Sequence, residues 1–158
     1  MQLKRFMMIT FVVLGILILG IGLVAKSKGV VPLSWGWHSP VSQAKGIAIN
    51  GYDPVLYFSK QTAEKGQKEW HWNWQGVEWW FANEETQTAF QQNPEKYAPE
   101  FGGYCAFAVS KGFTAKPDPT AWQMEDGKLF LFADEGMKVK WMAQLKDGIQ
   151  AKGAKKWK

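Results

Sequence analysis

Residues 69–82 read EWHWNWQGVEWWFA, and their pattern sets the fold class. Trp70, Trp72 and Trp74 alternate with His71 and Asn73. A period of two puts the indoles on one face of a strand and His71 with Asn73 on the other. Gln75–Gly76 supplies a turn, and Val77, Trp79 and Phe81 share a face on the return strand. The segment is therefore a β-hairpin whose cross-strand aromatic pairs contribute up to about 1 kcal/mol each.

Working outward, Trp122 and Met124 lie on one strand of a second hairpin, with Asp126–Gly127 as its turn and residues 128–132 as its return. Between the hairpins, Asn83 caps a helix whose first turn holds Glu84 and Glu85, where the helix dipole favours anions. Pro94 opens another short helix and Pro99 stops it. A helix is predicted from about Tyr104 to Ser110, with Gly112 as its stop. Asp134 caps a last helix reaching about Gln150, with Trp141, Leu145 and Ile149 as its buried stripe. Before the hairpins, GIAIN (46–50) reads as a short strand, Asn50–Gly51 as a turn, and Asp53–Pro54 as a helix start.

The N-terminus has a different character. Residues 6–25, FMMITFVVLGILILGIGLVA, contain no charge. A helix of this length spans roughly 30 Å, the thickness of the bilayer hydrocarbon. The expected architecture is thus an α+β domain with two β-hairpins and several short helices, preceded by one transmembrane helix. Residues 1–28 form the anchor, 29–45 a linker, 46–150 the domain and 151–158 a solvated basic tail. With Lys4 and Arg5 held inside, the expected location is the inner (plasma) membrane, single pass, with the C-terminal domain extracytoplasmic. Trp35 and Trp37 lie in the linker, either near the membrane surface or packed on the domain.

Composition narrows the chemistry. The chain has 158 residues, with ten Trp, ten Phe and a net charge of +5. Such aromatic content excludes disorder as the general description. The charge is mild, with no basic stripe interleaved with aromatics, which argues against nucleic acid as a partner. One Cys and two His exclude an intrachain disulfide, a zinc site of several Cys ligands and a three-His site. No phosphate loop, dinucleotide fingerprint or haem motif is present.

Cys105 follows Gly102–Gly103 and falls in the first turn of its helix, where unpaired N–H groups favour a thiolate; its apolar neighbours favour plain packing instead. His71 faces away from the indoles, and His38 lies in the linker. Tyr52, Asp53 and Tyr57 gather near a tight turn, as a carboxylate with phenols or with Asp53 simply capping a helix; Tyr104 is a further candidate ligand-binding residue.

The blocks GYDPVLYF (51–58), Trp80–Phe81 with Phe90, Pro94 and Tyr97, FGGYCAFAVSKG (101–112) and DPTAWQMEDGKLFLF (118–132) resemble the YHS-domain family in order and spacing. The resemblance implies a small α+β unit with a role in metal handling, and places Cys105 at the cysteine of the family's GGYC block. No second cysteine is present, and Phe130 and Phe132 stand where similar exported members often carry Tyr and Asn. The leading expectation is a membrane-tethered binding or accessory protein holding copper or zinc. Cys105 would be the main ligand with Met124 or His71, or the metal would be shared across a homo-oligomer, since soft ligands select soft ions. The alternatives are a redox sensor or enzyme using Cys105, and a module that stacks an organic ligand on Trp79, Trp80 and Trp122.

Overall fold

The computed structural model describes residues 12–15 and 29–157. The strands are β1 (Val31–Pro32), β2 (Gln43–Ala44), β3 (Ile47–Ala48), β4 (Gln67–Trp74), β5 (Val77–Phe81), β6 (Phe113–Thr114), β7 (Asp118–Glu125) and β8 (Lys128–Phe132). The helices are α1 (Leu56–Ser59), α2 (Glu84–Gln92), α3 (Pro94–Tyr97), α4 (Ala106–Lys111), α5 (Glu135–Met142) and α6 (Ile149–Trp157). Single 3-10 turns cover Leu33–Trp35, Ile49–Gly51 and Glu100–Gly103.

The strands form a four-stranded sheet in the order β2-β3-β5-β4 and two-stranded sheets β7-β8 and β1-β6. Both expected hairpins are present. Trp72 faces Trp79 and Trp74 faces Val77, while Gln123 faces Phe130. Gln75–Gly76 and Asp126–Gly127 turn with positive φ at both residues, the hand that matches strand twist. Val77, Trp79 and Phe81 are buried and Trp70, Trp72 and Trp74 half-buried, so the period of two holds.

The expected fold class needs correction. The molecule is a mixed α/β structure with several sheets. A third hairpin, β2–β3, turns at Lys45–Gly46, and β3 pairs in parallel with β5 at Ile47–Glu78. These strands are two residues long, too short to carry a period. Among the described residues no helix is long and apolar enough to cross a membrane. The helical residues 12–15 span about 6 Å, and the rest of the expected span over 6–25 lies outside the described residues.

Segments expected to be irregular carry structure. Residues 29–45 supply β1, which pairs with β6, and the buried Val41 and Ser42. Trp35 and Trp37 are 58% and 78% exposed, and touch each other with ring centroids 5.1 Å apart. The expected last helix breaks after Met142 and restarts at Ile149 as α6, so residues 151–157 are helical.

Two hydrophobic cores result, and β8 lies between them. Leu129 and Leu131 belong to the first core, with Val77, Trp79, Phe81 and Phe90. Phe130 and Phe132 belong to the second, with Phe101, Cys105, Trp141 and Ile149. Burial on both faces explains the unbroken apolar run LFLF. In the first core Phe90 of α2 reaches the rings of Trp72, Trp74, Trp79 and Phe81 at centroid distances of 5.1–6.1 Å. In the second, Trp141 lies 4.8 Å from Phe130 and 5.4 Å from Phe132. Its buried Nε1 has no hydrogen-bond partner among the described residues.

Candidate functional site

Asp53 is fully buried and acts on the backbone. Its Oδ1 accepts from Val55 N at 2.8 Å and its Oδ2 from Ala82 N at 2.7 Å. It thereby sets the turn before α1 and ties that turn to the residue after β5. It is not the expected N-cap: α1 begins at Leu56, Val55 stands at its N-cap, and no side chain caps it. Tyr57, one turn on, is buried and donates its hydroxyl to the Pro119 carbonyl at 2.9 Å. Burial, reinforced by Tyr52, Asp118 and Asp53, pushes the phenol well above its ordinary range. Tyr52 is half-buried, with Lys65 Nζ 5.8 Å from its ring centroid. These three residues do gather, but the carboxylate's partners are main-chain N–H groups of the fold itself.

Cys105 is 1% exposed and stands at the N-cap of α4, one residue before the first turn, where it makes no side-chain cap. Burial raises its thiol, outweighing the backbones of Ala108, Ala133 and Phe107 that favour the charged form; Asp134 raises it further. The expected thiolate is therefore disfavoured in the fold. His71 is exposed on β4, its Nδ1 2.9 Å from the Lys68 carbonyl. Met124 on β7 packs against the first core, whereas Cys105 belongs to the second and bridges to Leu131 on the other edge of β8. The three candidate ligands are thus not brought together. Among the described residues no cluster of three or more His, Cys, Asp or Glu is placed to hold a metal ion.

The aromatic candidates also separate. Trp122 packs on Tyr57 at 5.3 Å, and Trp80 donates its Nε1–H to Glu78 Oε1 at 2.6 Å. Trp79 alone of that trio reaches a cleft of about 480 Å³, shared with Trp74, Phe101, Trp157 and His38. The hairpin turn after β4 forms one wall, residues 95–102 another and the end of α6 a third. Trp79 donates its Nε1–H to the Trp74 carbonyl at 3.1 Å, so the wall is braced from within. Across the cleft, Trp157 lies 5.2 Å from His38, 5.7 Å from Tyr104 and 6.3 Å from Phe101, ring to ring. Tyr104 is buried, and that burial raises its phenol, partly offset by the Ser39 backbone.

The floor is the FGG turn. Phe101 adopts φ 56°, ψ 34°, left-handed backbone that an aromatic residue rarely takes, followed by Gly102 at φ 60°. A Cβ on Gly102 would collide with the Pro40 carbonyl, and the Gly102 carbonyl accepts from Ser42 N at 2.7 Å. The turn is held against residues 40–42 and fixes the Phe101 ring between Phe130 and Trp157. Residues held in such sparsely populated regions cost about 1–3 kcal/mol and concentrate at ligand clamps. Sequence reasoning misses Trp74, Phe101, Trp157 and His38 as one group, because more than a hundred residues separate His38 from α6. The FGG motif at 101–103 is the one signal of this floor in the sequence. Comparison with protein families, with curated proteins and with solved structures finds no match to this chain.

Proposed function

We propose that this protein is a small-molecule binding module whose ligand lodges in the aromatic cleft between Trp74, Trp79, Phe101 and Trp157. The cleft carries the reading: its volume of about 480 Å³ lies within the range of small-ligand sites, and aromatic residues from three distant parts of the chain line it. The strained Phe101 backbone adds support, since holding that ring in place costs the fold stability. A place in the YHS-domain family belongs to the same proposal and rests on the sequence blocks at 51–58 and 101–112. Metal or redox chemistry through Cys105 is less well supported, because the sulfur is buried and its proton is held more tightly than usual. The test is a titration of the full-length chain with a panel of small heterocycles, sugars and amines, followed by indole fluorescence. A saturable change that Trp157→Ala abolishes is expected. No response to any compound would end the proposal.

A further inference from the structure

We infer that the ligand of this cleft is a small alkylammonium ion, an inference that rests on the cleft being a binding site. The chain carries 19 Lys and Arg and is net positive, yet among the described residues neither type lines the cleft, whereas Glu95 and Glu100 both do. Of the neighbouring bases, Lys96 is engaged elsewhere and Lys128 pairs with one of the two cleft carboxylates. Lys96 Nζ sits 4.9 Å from the centroid of the Tyr97 ring, outside the lining. Lys128 pairs with Glu100 at 3.4 Å without reaching the lining itself. Glu95, in the first turn of α3, is exposed and has no ion-pair partner among the described residues.

The walls present the complementary chemistry. Indole faces carry the negative end of the ring quadrupole, and Trp binds cations best of the aromatic side chains. Trp74, Trp79 and Trp157 line one cleft, with Phe101 beneath and carboxylates at Glu95 and Glu100. A neutral ring system would gain from the indoles alone. An anion would meet the unpaired Glu95 carboxylate with no Lys or Arg in the lining among the described residues. An alkylammonium ion gains from both: its methyl groups pack on the half-buried Trp74 and Trp157 while its charge meets the Glu95 carboxylate.

The experiment titrates the full-length chain with tetramethylammonium, with choline and with choline's uncharged tert-butyl analogue, in which carbon replaces the ammonium nitrogen. Binding is read by calorimetry and indole fluorescence. Choline is expected to bind at least tenfold or so more tightly than the neutral analogue, in line with a desolvated cation–π contact. Glu95→Gln should weaken choline roughly threefold or more and leave the analogue unchanged, as expected for loss of one partly exposed charge. Equal affinity for choline and the analogue would overturn the cation inference and leave the cleft a binding site. So would failure of every ammonium ion while a neutral heterocycle binds, or an unchanged choline affinity in Glu95→Gln. Silence toward ammonium ions and neutral compounds alike would overturn both readings.

Discussion

The Tyr57 hydroxyl in α1 donates to the carbonyl of Pro119, 62 residues further along the chain, and joins the start of one hairpin to the helix before the other. Tyr57→Phe keeps the ring against Trp122 and removes only this bond. It should cost about 1–3 kcal/mol, because a buried carbonyl loses its partner. Urea unfolding of the two proteins measures the difference, and a change in midpoint at constant slope identifies the cause as stability.

Asp53→Ala strips two main-chain N–H groups, Val55 and Ala82, of a carboxylate acceptor. Bonds to charged groups are worth about 1.5–3 kcal/mol each, so this variant should be among the least stable point mutants. Asp53→Asn, which keeps one oxygen acceptor, should fall between it and the natural protein. The ordering of the three midpoints is the check.

Phe90 touches four aromatic rings from one helix and is fully buried. Phe90→Ala should lose about 3–5 kcal/mol, the range for emptying a tightly packed aromatic site. Near-ultraviolet circular dichroism should show the loss of ordered indoles before far-ultraviolet signal changes.

Cys105 gives a pH prediction. Its folded pKa is raised, so its contribution to stability is complete below the unfolded thiol value of about 8.5 and is lost as pH rises through the folded value. Tyr57, raised in the same sense, adds a loss that starts above about 10. Stability should therefore fall in alkali in two stages, and Cys105→Ala should remove the first. A thiol-specific alkylating reagent should label the native protein slowly at neutral pH and label it rapidly in denaturant.

How much of this was legible follows from element length and from distance along the chain. The β4–β5 hairpin announces itself by alternation on both sides of a turn dipeptide, and the β7–β8 hairpin by the Asp126–Gly127 turn followed by an apolar run. The caps at Asn83 and Asp134 were equally readable: each side chain accepts from the N–H three residues on. Strands β1, β2, β3 and β6 have two residues apiece, and their existence depends on partners that local pattern does not name. The cleft was illegible for the same reason. His38 lay in a presumed linker and Trp157 in a presumed frayed end; their neighbourhood is created by α6 docking on Phe101, where Gly153 sits so close that a Cβ there would lie 2.8 Å from the Phe101 ring. Cys105 was placed within one residue of its helix, but local spacing carries no information on what covers a side chain from above.

Strand β8 has one further consequence. Because its alternate side chains plug both cores, neither can melt while the other survives intact. Peeling away α6 or the β4–β5 hairpin turns Phe130 and Phe132, or Leu129 and Leu131, toward water. The molecule should lose its structure in a single all-or-none step, with Leu131 amide exchange as slow as any in the chain. Excising either half as a separate fragment would sever a wall that both rooms share.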